Sequence, residues 1–214
     1  GSEMCIRDRP RPGHQDMVMM KKTDGKADLR GGGTSSARLT APIVAAAAII
    51  SPIIAKLGIE VNAHVSAIGN VKSKPIAQCP KKWQNVDCQL IRCQDPEAAV
   101  DMIKLVEDHR MNLDSVGSEV ELQISGMPMG IGEPWFDGIE PYLARAMMSI
   151  PAARGVEFGE GFAAIEMKGS EHNNPWGGSK DNPVMLGEKP DGALAGLSTG
   201  SDFFCKVAFK PPSS

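Results

Sequence analysis

The chain has 214 residues, of which 42% are apolar and 23% charged, as in ordinary globular proteins. A net charge of −3 argues against a dedicated nucleic-acid-binding protein, and an aromatic content of 5% supplies few rings for base stacking. The 23 glycines and 16 prolines show no triplet period, which excludes a collagen-like chain. The first five residues lack the apolar core of a signal peptide, so we expect none there.

The five cysteines are odd in number and form no CxxC pair. This pattern favours a reducing compartment over a disulfide scaffold. Three of them, Cys79, Cys88 and Cys93, lie in one stretch without the short paired spacing of a zinc site. We therefore expect these three to bind no metal and to form no disulfide.

A glycine-rich loop, RGGGTSSAR over residues 30–38, precedes an apolar segment. Ser35 or Ser36 can cap the following helix, and the free amide groups there could bind an anion. A solvated loop explains the spacing equally well, and no P-loop lysine follows the glycines. We expect a helix over 41–57 that bends near Pro52 and ends at Gly58. This segment is too short and too interrupted to be a convincing membrane span. We therefore expect a buried helix and no membrane partner.

Alternating and helical patterns follow in turn along the rest of the chain. Asp95 and Pro96 together predict a helix start, as N-cap and first helical residue. His64, in the first strand, is expected at the surface or at a strand edge. The expected elements are a strand over 59–65, an irregular connection over 70–94, a helix from 96, a strand over 118–125, a helix over 136–150, a bent strand over 155–168, a loop over 170–191 and a strand over 193–210. This composite is typical of an α+β protein.

A series of short motifs runs in one order along nearly the whole chain from about Ile6. The motifs are RPGHQD (11–16), RGGGTSSAR (30–38), DSVG (114–117), GIGEPWFD (130–137), MMSIPA (147–152), GVEFGEGF (155–162), GSEHN (169–173), GLSTG (196–200) and KPPSS (210–214). Together they resemble the motifs of the chorismate synthase family. The resemblance implies a sandwich of antiparallel sheets with helices between them.

The resemblance also implies a lyase of the shikimate pathway, which leads to the aromatic amino acids. Such an enzyme converts 5-enolpyruvylshikimate 3-phosphate into chorismate by an anti 1,4-elimination of phosphate. Reduced FMN is required although the reaction has no net redox change, and the sequence leaves open whether NADPH must reduce it. A cytoplasmic homotetramer is the assembly that the resemblance implies.

By the same resemblance, His14 is the catalytic residue and donates a proton to the flavin, a role that suits imidazole near neutral pH. Arg38 is assigned to substrate binding. The implied FMN contacts are Thr34, Ser35, Ser36, Pro151, Ala152, Ala195, Lys210, Pro211, Pro212, Ser213 and Ser214. Serine hydroxyls, helix N-terminal amides and a lysine are groups that bind a phosphate.

The chain departs from the family pattern in ways that bear on function. Thr34 stands where the family has Arg, Leu39 where it has Glu, and Ala195 where it has Gly, while Lys189-Pro190-Asp191 replaces an Asn-containing run. The family segments GESHG and GRHDP have no counterpart.

We therefore expect residues 1–5 to be a scar or fragment edge and 6–214 to be one domain, incomplete at both ends and inactive alone. The alternatives are a flavin- or anion-binding paralogue without turnover and a structural subunit of an oligomer.

Overall fold

A computed structural model describes residues 10–28, 36–79, 90–187 and 191–212 of the chain. The helices are α1 (Asp16–Lys22), α2 (Ala41–Lys56), α3 (Pro96–Met111), α4 (Ile139–Met148) and α5 (Gly169–His172). The strands are β1 (Glu60–Ile68), β2 (Val71–Lys72), β3 (Ser118–Ser125), β4 (Ala153–Phe158), β5 (Trp176–Gly178), β6 (Pro183–Met185), β7 (Ala193–Leu194), β8 (Leu197–Ser198) and β9 (Phe203–Phe209). The expected α+β class with antiparallel sheets is confirmed.

Five strands form one antiparallel sheet in the order β2-β1-β3-β9-β4. Two small hairpins, β5–β6 and β7–β8, lie outside it. β3 is central and pairs with β1 on one side and β9 on the other. Since β3 pairs with β1 and β9, and β9 also pairs with β4, the sheet brings motifs from both halves of the chain together.

The main core lies on one face of this sheet, where alternate strand residues are apolar. Phe203 of β9 is fully buried, and its ring lies 5.5 Å from that of Phe158 in β4. Leu143 and Met147 of α4 pack against the same cluster. A second cluster forms where Met102 of α3 packs near β1. Helices α3 and α4 thus fix the sheet at its two sides.

The start of α3 agrees with the sequence prediction. Asp95 is the N-cap and its side chain accepts hydrogen bonds from the backbone N–H groups of Glu97 and Ala98, while Pro96 is the first helical residue. The same carboxylate accepts the N–H of Lys74 at 3.1 Å, which ties the preceding connection to the helix. These hydrogen bonds hold the pKa of Asp95 below its ordinary value.

Helix α2 has the expected bounds, with Pro52 inside it and Gly58 at φ +80° just beyond it, but it is not buried. None of its residues is buried, and Ile43, Val44 and Ile49 are each at least 65% exposed. The prediction of a buried helix is wrong for this chain, because no described segment covers the helix. By length and composition alone, the stretch Ala37–Lys56 is the one helix among the described residues that could cross a membrane.

The environment of His64 was predicted wrongly. The side chain is fully buried in β1, where the strand is covered by the connection that follows β2. A pattern of alternating residues places His64 on the polar face of a strand, but it cannot show that a later segment covers that face.

The second half of the chain is more finely divided than its patterns predict. β4 ends at Phe158, because Gly159 and Gly161 both adopt positive φ and turn the chain into the 3-10 helix Gly161–Glu166. The expected loop over 170–191 contains the hairpin β5–β6, and the expected strand over 193–210 is divided into β7, β8 and β9. α4 begins at Ile139, after a 3-10 turn.

Candidate functional site

The strand register brings three motifs to one edge of the sheet. Ser118 pairs with Phe209, and Phe209 pairs with Ala153. The start of β3, the end of β9 and the start of β4 therefore lie side by side. The residues that precede β3, follow β9 and precede β4 must meet here, and we call this end of the sheet the site edge.

Hydrogen bonds join these motifs directly. The backbone N–H of Lys210 donates to the carbonyl of Ala152 at 3.0 Å, and the Ser115 hydroxyl donates to the carbonyl of Pro212 at 2.7 Å. A Cβ at Gly117 would lie 2.9 Å from the Phe209 carbonyl oxygen, so only glycine allows the close approach of the DSVG turn. DSVG, the end of MMSIPA and the start of KPPSS thus form one surface.

A fourth motif, RPGHQD, reaches the same surface from the other end of the chain. Lys210 Nζ donates to the carbonyl oxygen of Gly13 at 2.9 Å. Residues 11–14 form a tight turn in which the His14 N–H donates to the Arg11 carbonyl at 3.2 Å. Pro12 and Gly13 occupy its two central positions, and Gly13 has φ +66°, as this kind of turn prefers. The turn fixes the position of His14 at the site edge.

Three charged or titratable side chains of this turn form a compact group. The Asp16 side chain is 3% exposed and accepts Arg11 Nε at 2.9 Å and Arg11 Nη2 at 3.0 Å. His14 Nδ1 lies 2.5 Å from Asp16 Oδ1, and the imidazole is 30% exposed. The hydrogen bonds from Arg11, with a smaller contribution from His14, hold the pKa of Asp16 well below its usual range. An ionised, buried carboxylate therefore contacts a solvent-accessible imidazole that can gain or lose a proton.

Two of the predicted FMN contacts have strained backbone. Ala152 has φ +72° and Ala195 has φ +53°, which are uncommon values for residues other than glycine. Such strain concentrates at functional positions, where the surrounding structure holds it in place.

Ala195, however, is not at the site edge. It lies in the turn between β7 and β8, where the neighbouring Gly196 carbonyl accepts the N–H of Ile139 at the start of α4. Pro151 and Ala152 follow the other end of this ten-residue helix. The two predicted contacts are therefore about 15 Å apart along the helix.

The remaining predicted residues fall into two groups. Ser36 caps a short 3-10 helix by accepting the N–H of Arg38, and Arg38 is exposed. Within the described residues, no hydrogen bond or ion pair joins Ser36 or Arg38 to the site edge. Outside the described residues lie Thr34, Ser35, Ser213 and Ser214, and with them Lys189 and Pro190.

The thiols show no reactive character in the described ranges. Cys79, Cys93 and Cys205 are free and buried, and burial raises the pKa of Cys79 and of Cys205 to about 11. Cys88 lies outside the described residues. Within residues 10–28, 36–79, 90–187 and 191–212, no group of three His, Cys, Asp or Glu side chains is placed to hold a metal ion.

Two clefts lie away from the site edge. One of about 490 Å³ is lined by Met127, Met129, Thr199 and Gly200, among others. The other, of about 330 Å³, contains Glu171 and other residues of the GSEHN region. Neither is lined by a predicted site residue.

Sequence reasoning missed two residues of the site edge, Asp16 and Ser115. Both belong to quoted motifs, RPGHQD and DSVG, yet neither was given a role. For Asp16 a signal was present, because a carboxylate two residues after a histidine can bind its ring. For Ser115 there was none, because its partner Pro212 is 97 residues away.

The fold and the site edge define an α+β protein that brings a histidine–aspartate pair and a lysine from opposite ends of the chain to one edge of an antiparallel sheet. Comparison with known proteins shows to which family such a protein belongs. The sequence model of the chorismate synthase family matches residues 4–214. A chorismate synthase from Aeropyrum pernix is 42% identical over 217 residues, and one from Methanosarcina acetivorans is 41% identical over 209 residues; each match covers 98% of this chain. The chain therefore belongs to the chorismate synthase family.

The structural comparison agrees. A solved structure described as a crystal structure of chorismate synthase superposes with a TM-score of 0.80 and 26% sequence identity, over 91% of this chain. The chain spans 55% and 57% of the lengths of the two relatives, and 62% of the solved chain.

Proposed function

We propose that the protein carrying this chain converts 5-enolpyruvylshikimate 3-phosphate into chorismate, by an anti 1,4-elimination of phosphate that requires reduced FMN. Family membership supports the reaction. The observation that carries it is the hydrogen bond from Lys210 Nζ to Gly13, since it joins motifs 197 residues apart into one surface beside His14.

The described residues at the site edge fit FMN. Lys210 is half-buried, and its ammonium group uses one of three N–H donors on Gly13, which leaves two for a phosphate. Ala152 holds a strained backbone directly beside Lys210. We assign Pro151, Ala152, Lys210 and the prolines after it to the cofactor. When bound, reduced FMN supplies electron density to the substrate as phosphate leaves.

The charge balance of the site edge suits an anionic substrate. Arg11 forms a two-pronged ion pair with Asp16, so these two charges cancel. Lys210 then contributes a net positive charge, and a protonated His14 adds a second. The substrate carries a phosphate and two carboxylates, so this balance favours its binding. His14 is the group that holds and donates a proton, because its ring is accessible and lies against an ionised carboxylate.

We assign Arg38 to the substrate, and Ser36 and Ala195 to FMN, on family resemblance, which also supports a homotetramer, a cytoplasmic location and NADPH as a source of electrons. The same resemblance supports one domain over 6–214. The second candidate function is binding of flavin or anion without turnover. The presence of Thr34 where the family has Arg favours it, because this removes one positive charge from the loop that the resemblance assigns to anion binding.

An anaerobic assay with chemically reduced FMN tests the proposal. Chorismate and phosphate are measured for this chain and for a version extended at both ends to the length of its relatives. We expect the extended protein to form chorismate and phosphate in equal amounts, and the 214 residues alone to form much less. FMN binding without product in the extended, folded protein would favour the second candidate. Equal rates from both versions would show that the family segments GESHG and GRHDP are dispensable.

A further inference from the structure

Asp16 is buried, yet all its recorded contacts are with groups of the His14 turn. Its Oδ2 atom accepts Arg11 Nε at 2.9 Å and the Arg11 backbone N–H at 3.2 Å. Its Oδ1 atom accepts Arg11 Nη2 at 3.0 Å and faces His14 Nδ1 at 2.5 Å. The carboxylate is therefore held from two sides by the guanidinium and the backbone, and it presents its remaining lone pair to the imidazole.

The proton between Asp16 and His14 must reside on the histidine nitrogen. An ionised carboxylate only accepts hydrogen bonds, so the 2.5 Å contact requires Nδ1–H. Arg11 Nη2 also lies 3.2 Å from His14 Nδ1, and it could donate there only if Nδ1 carried no proton. Arg11 Nη2 already donates to Asp16 Oδ1, and the shorter contact decides between the two arrangements.

The other ring nitrogen is left open. His14 Nε2 has no hydrogen-bond partner among the described residues, and the side chain is 30% exposed at the site edge. A histidine bound at Nδ1 in this way exchanges its proton only through Nε2.

We propose that Asp16 is a positioning residue, which accepts Nδ1–H of His14, fixes that tautomer and aims Nε2 at the site edge, while Arg11 holds the carboxylate in place. Only the expected effect on kcat rests on the proposed function, because it assumes that His14 donates a proton in that reaction. The arrangement of the proton itself is independent of any activity.

The first test measures the tautomer in the unaltered protein. Nitrogen-15 chemical shifts of the His14 ring, assigned by comparison with His14→Gln, report which nitrogen carries the proton when the ring is neutral. We expect Nδ1–H. A neutral ring protonated at Nε2 overturns the proposal whether or not the protein forms chorismate.

The second test uses Asp16→Asn, which keeps the size of the side chain but can donate to Nδ1. We expect the neutral ring to change to the Nε2–H tautomer and kcat to fall at least about a hundredfold, with KM and FMN affinity changed less than about threefold. Asp24→Asn is the matched control, because Asp24 is an exposed residue just beyond α1 whose positive φ asparagine tolerates. It should change neither the tautomer nor kcat.

Asp16→Glu, which restores a carboxylate, should recover the Nδ1–H tautomer. If Asp16→Asn instead leaves both tautomer and kcat unchanged in an active protein, Asp16 has no positioning role and the proposed function stands. If the unaltered protein shows Nδ1–H but forms no chorismate in the assay above, the proposed function fails and the positioning of His14 does not.

Discussion

Two histidine–carboxylate pairs lie in this chain, and they differ in what surrounds them. His14 and Asp16 are two residues apart, 2.5 Å from each other, and the imidazole is 30% exposed. His64 and Glu121 are 57 residues apart, 3.1 Å from each other, and the imidazole is fully buried. The same two chemical groups therefore form an accessible pair at the site edge in one place and a buried pair that stabilises the fold in the other.

The difference extends to the ring nitrogens. His64 Nδ1 accepts the backbone N–H of Gln94 at 3.2 Å, so Nε2 carries the proton and donates it to Glu121. The same carboxylate oxygen of Glu121 accepts the N–H of Ile76 at 2.9 Å. Both nitrogens of His64 are thus used within the fold, whereas His14 uses only one. A histidine can transfer a proton to a ligand only when a nitrogen remains accessible.

The largest expected effect is on turnover, which should depend on His14 and not on His64. In the extended protein, His14→Ala should lower kcat about a hundred- to ten-thousand-fold, because it removes the proton donor of the chemical step. FMN affinity should change little. His64→Gln, which can still donate to Glu121, should leave kcat within about twofold at a temperature where it is folded. The measurement is anaerobic chorismate formation together with FMN titration.

A different result would reassign His14. If His14→Ala lost FMN affinity while keeping its kcat, His14 would be a binding residue. If His64→Gln lowered kcat as strongly as His14→Ala with the fold intact, the contrast between the accessible and the buried pair would be wrong.

The next effect is on stability, and here the substitution of His64 should cost more than that of His14. His64→Ala should lower the free energy of unfolding by about 3 kcal/mol, because it leaves the buried Glu121 carboxylate without the hydrogen bond from Nε2 and opens a cavity where the ring was. His14→Ala should change it by less than about 1 kcal/mol, since its ring is accessible to water. His109→Ala, in the half-exposed last turn of α3, is the matched control. Urea unfolding of the four proteins measures the differences, and equal losses for His14 and His64 would contradict the comparison.

The pH dependence of stability sharpens the difference further. Burial alone raises the pKa of Glu121, but hydrogen bonds from His64 and the Ile76 N–H outweigh it and hold the pKa below its ordinary value. A lowered carboxyl pKa contributes stability above the unfolded pKa of about 4.3, and this contribution is lost as pH falls through the folded pKa.

Glu121→Gln should therefore make the free energy of unfolding less dependent on pH in the acid range, while lowering it at pH 7. Glu119→Gln, two positions away on β3 and hydrogen-bonded to the Ser66 hydroxyl instead of a histidine, serves as the control. Unfolding curves between pH 3 and 7 test this. If the free energy of unfolding falls with pH as steeply in Glu121→Gln as in the unaltered protein, protonation of Glu121 is not coupled to unfolding.

The sequence predicts local features of this molecule better than long-range ones. The bounds of β3 and the cap at Asp95 follow from alternation and from capping residues within a few positions. The motif resemblance predicts His14 and Lys210 as site residues, but not that Lys210 binds the His14 turn. His64 was misplaced because the residues that bury it, Gln94 and Glu121, lie 30 and 57 positions away. Helix α2 was predicted buried because its composition is apolar, and composition does not show which segment covers it.

The smallest expected effect concerns the lysine that links the accessible pair to the rest of the site. Lys210→Met removes the ammonium group that holds Gly13, while it keeps much of the length of the side chain. We expect FMN affinity to fall about tenfold, which is about 1.4 kcal/mol and matches the loss of one charge-assisted hydrogen bond. The salt dependence of FMN binding should become weaker because one cation is absent. Lys180→Met, an exposed lysine in the turn between β5 and β6, should change neither quantity. Because Lys210 does not contact the buried pair, the free energy of unfolding should stay within about 0.5 kcal/mol. An unchanged FMN affinity in Lys210→Met would remove the lysine from the cofactor site and leave it only the task of fixing the His14 turn.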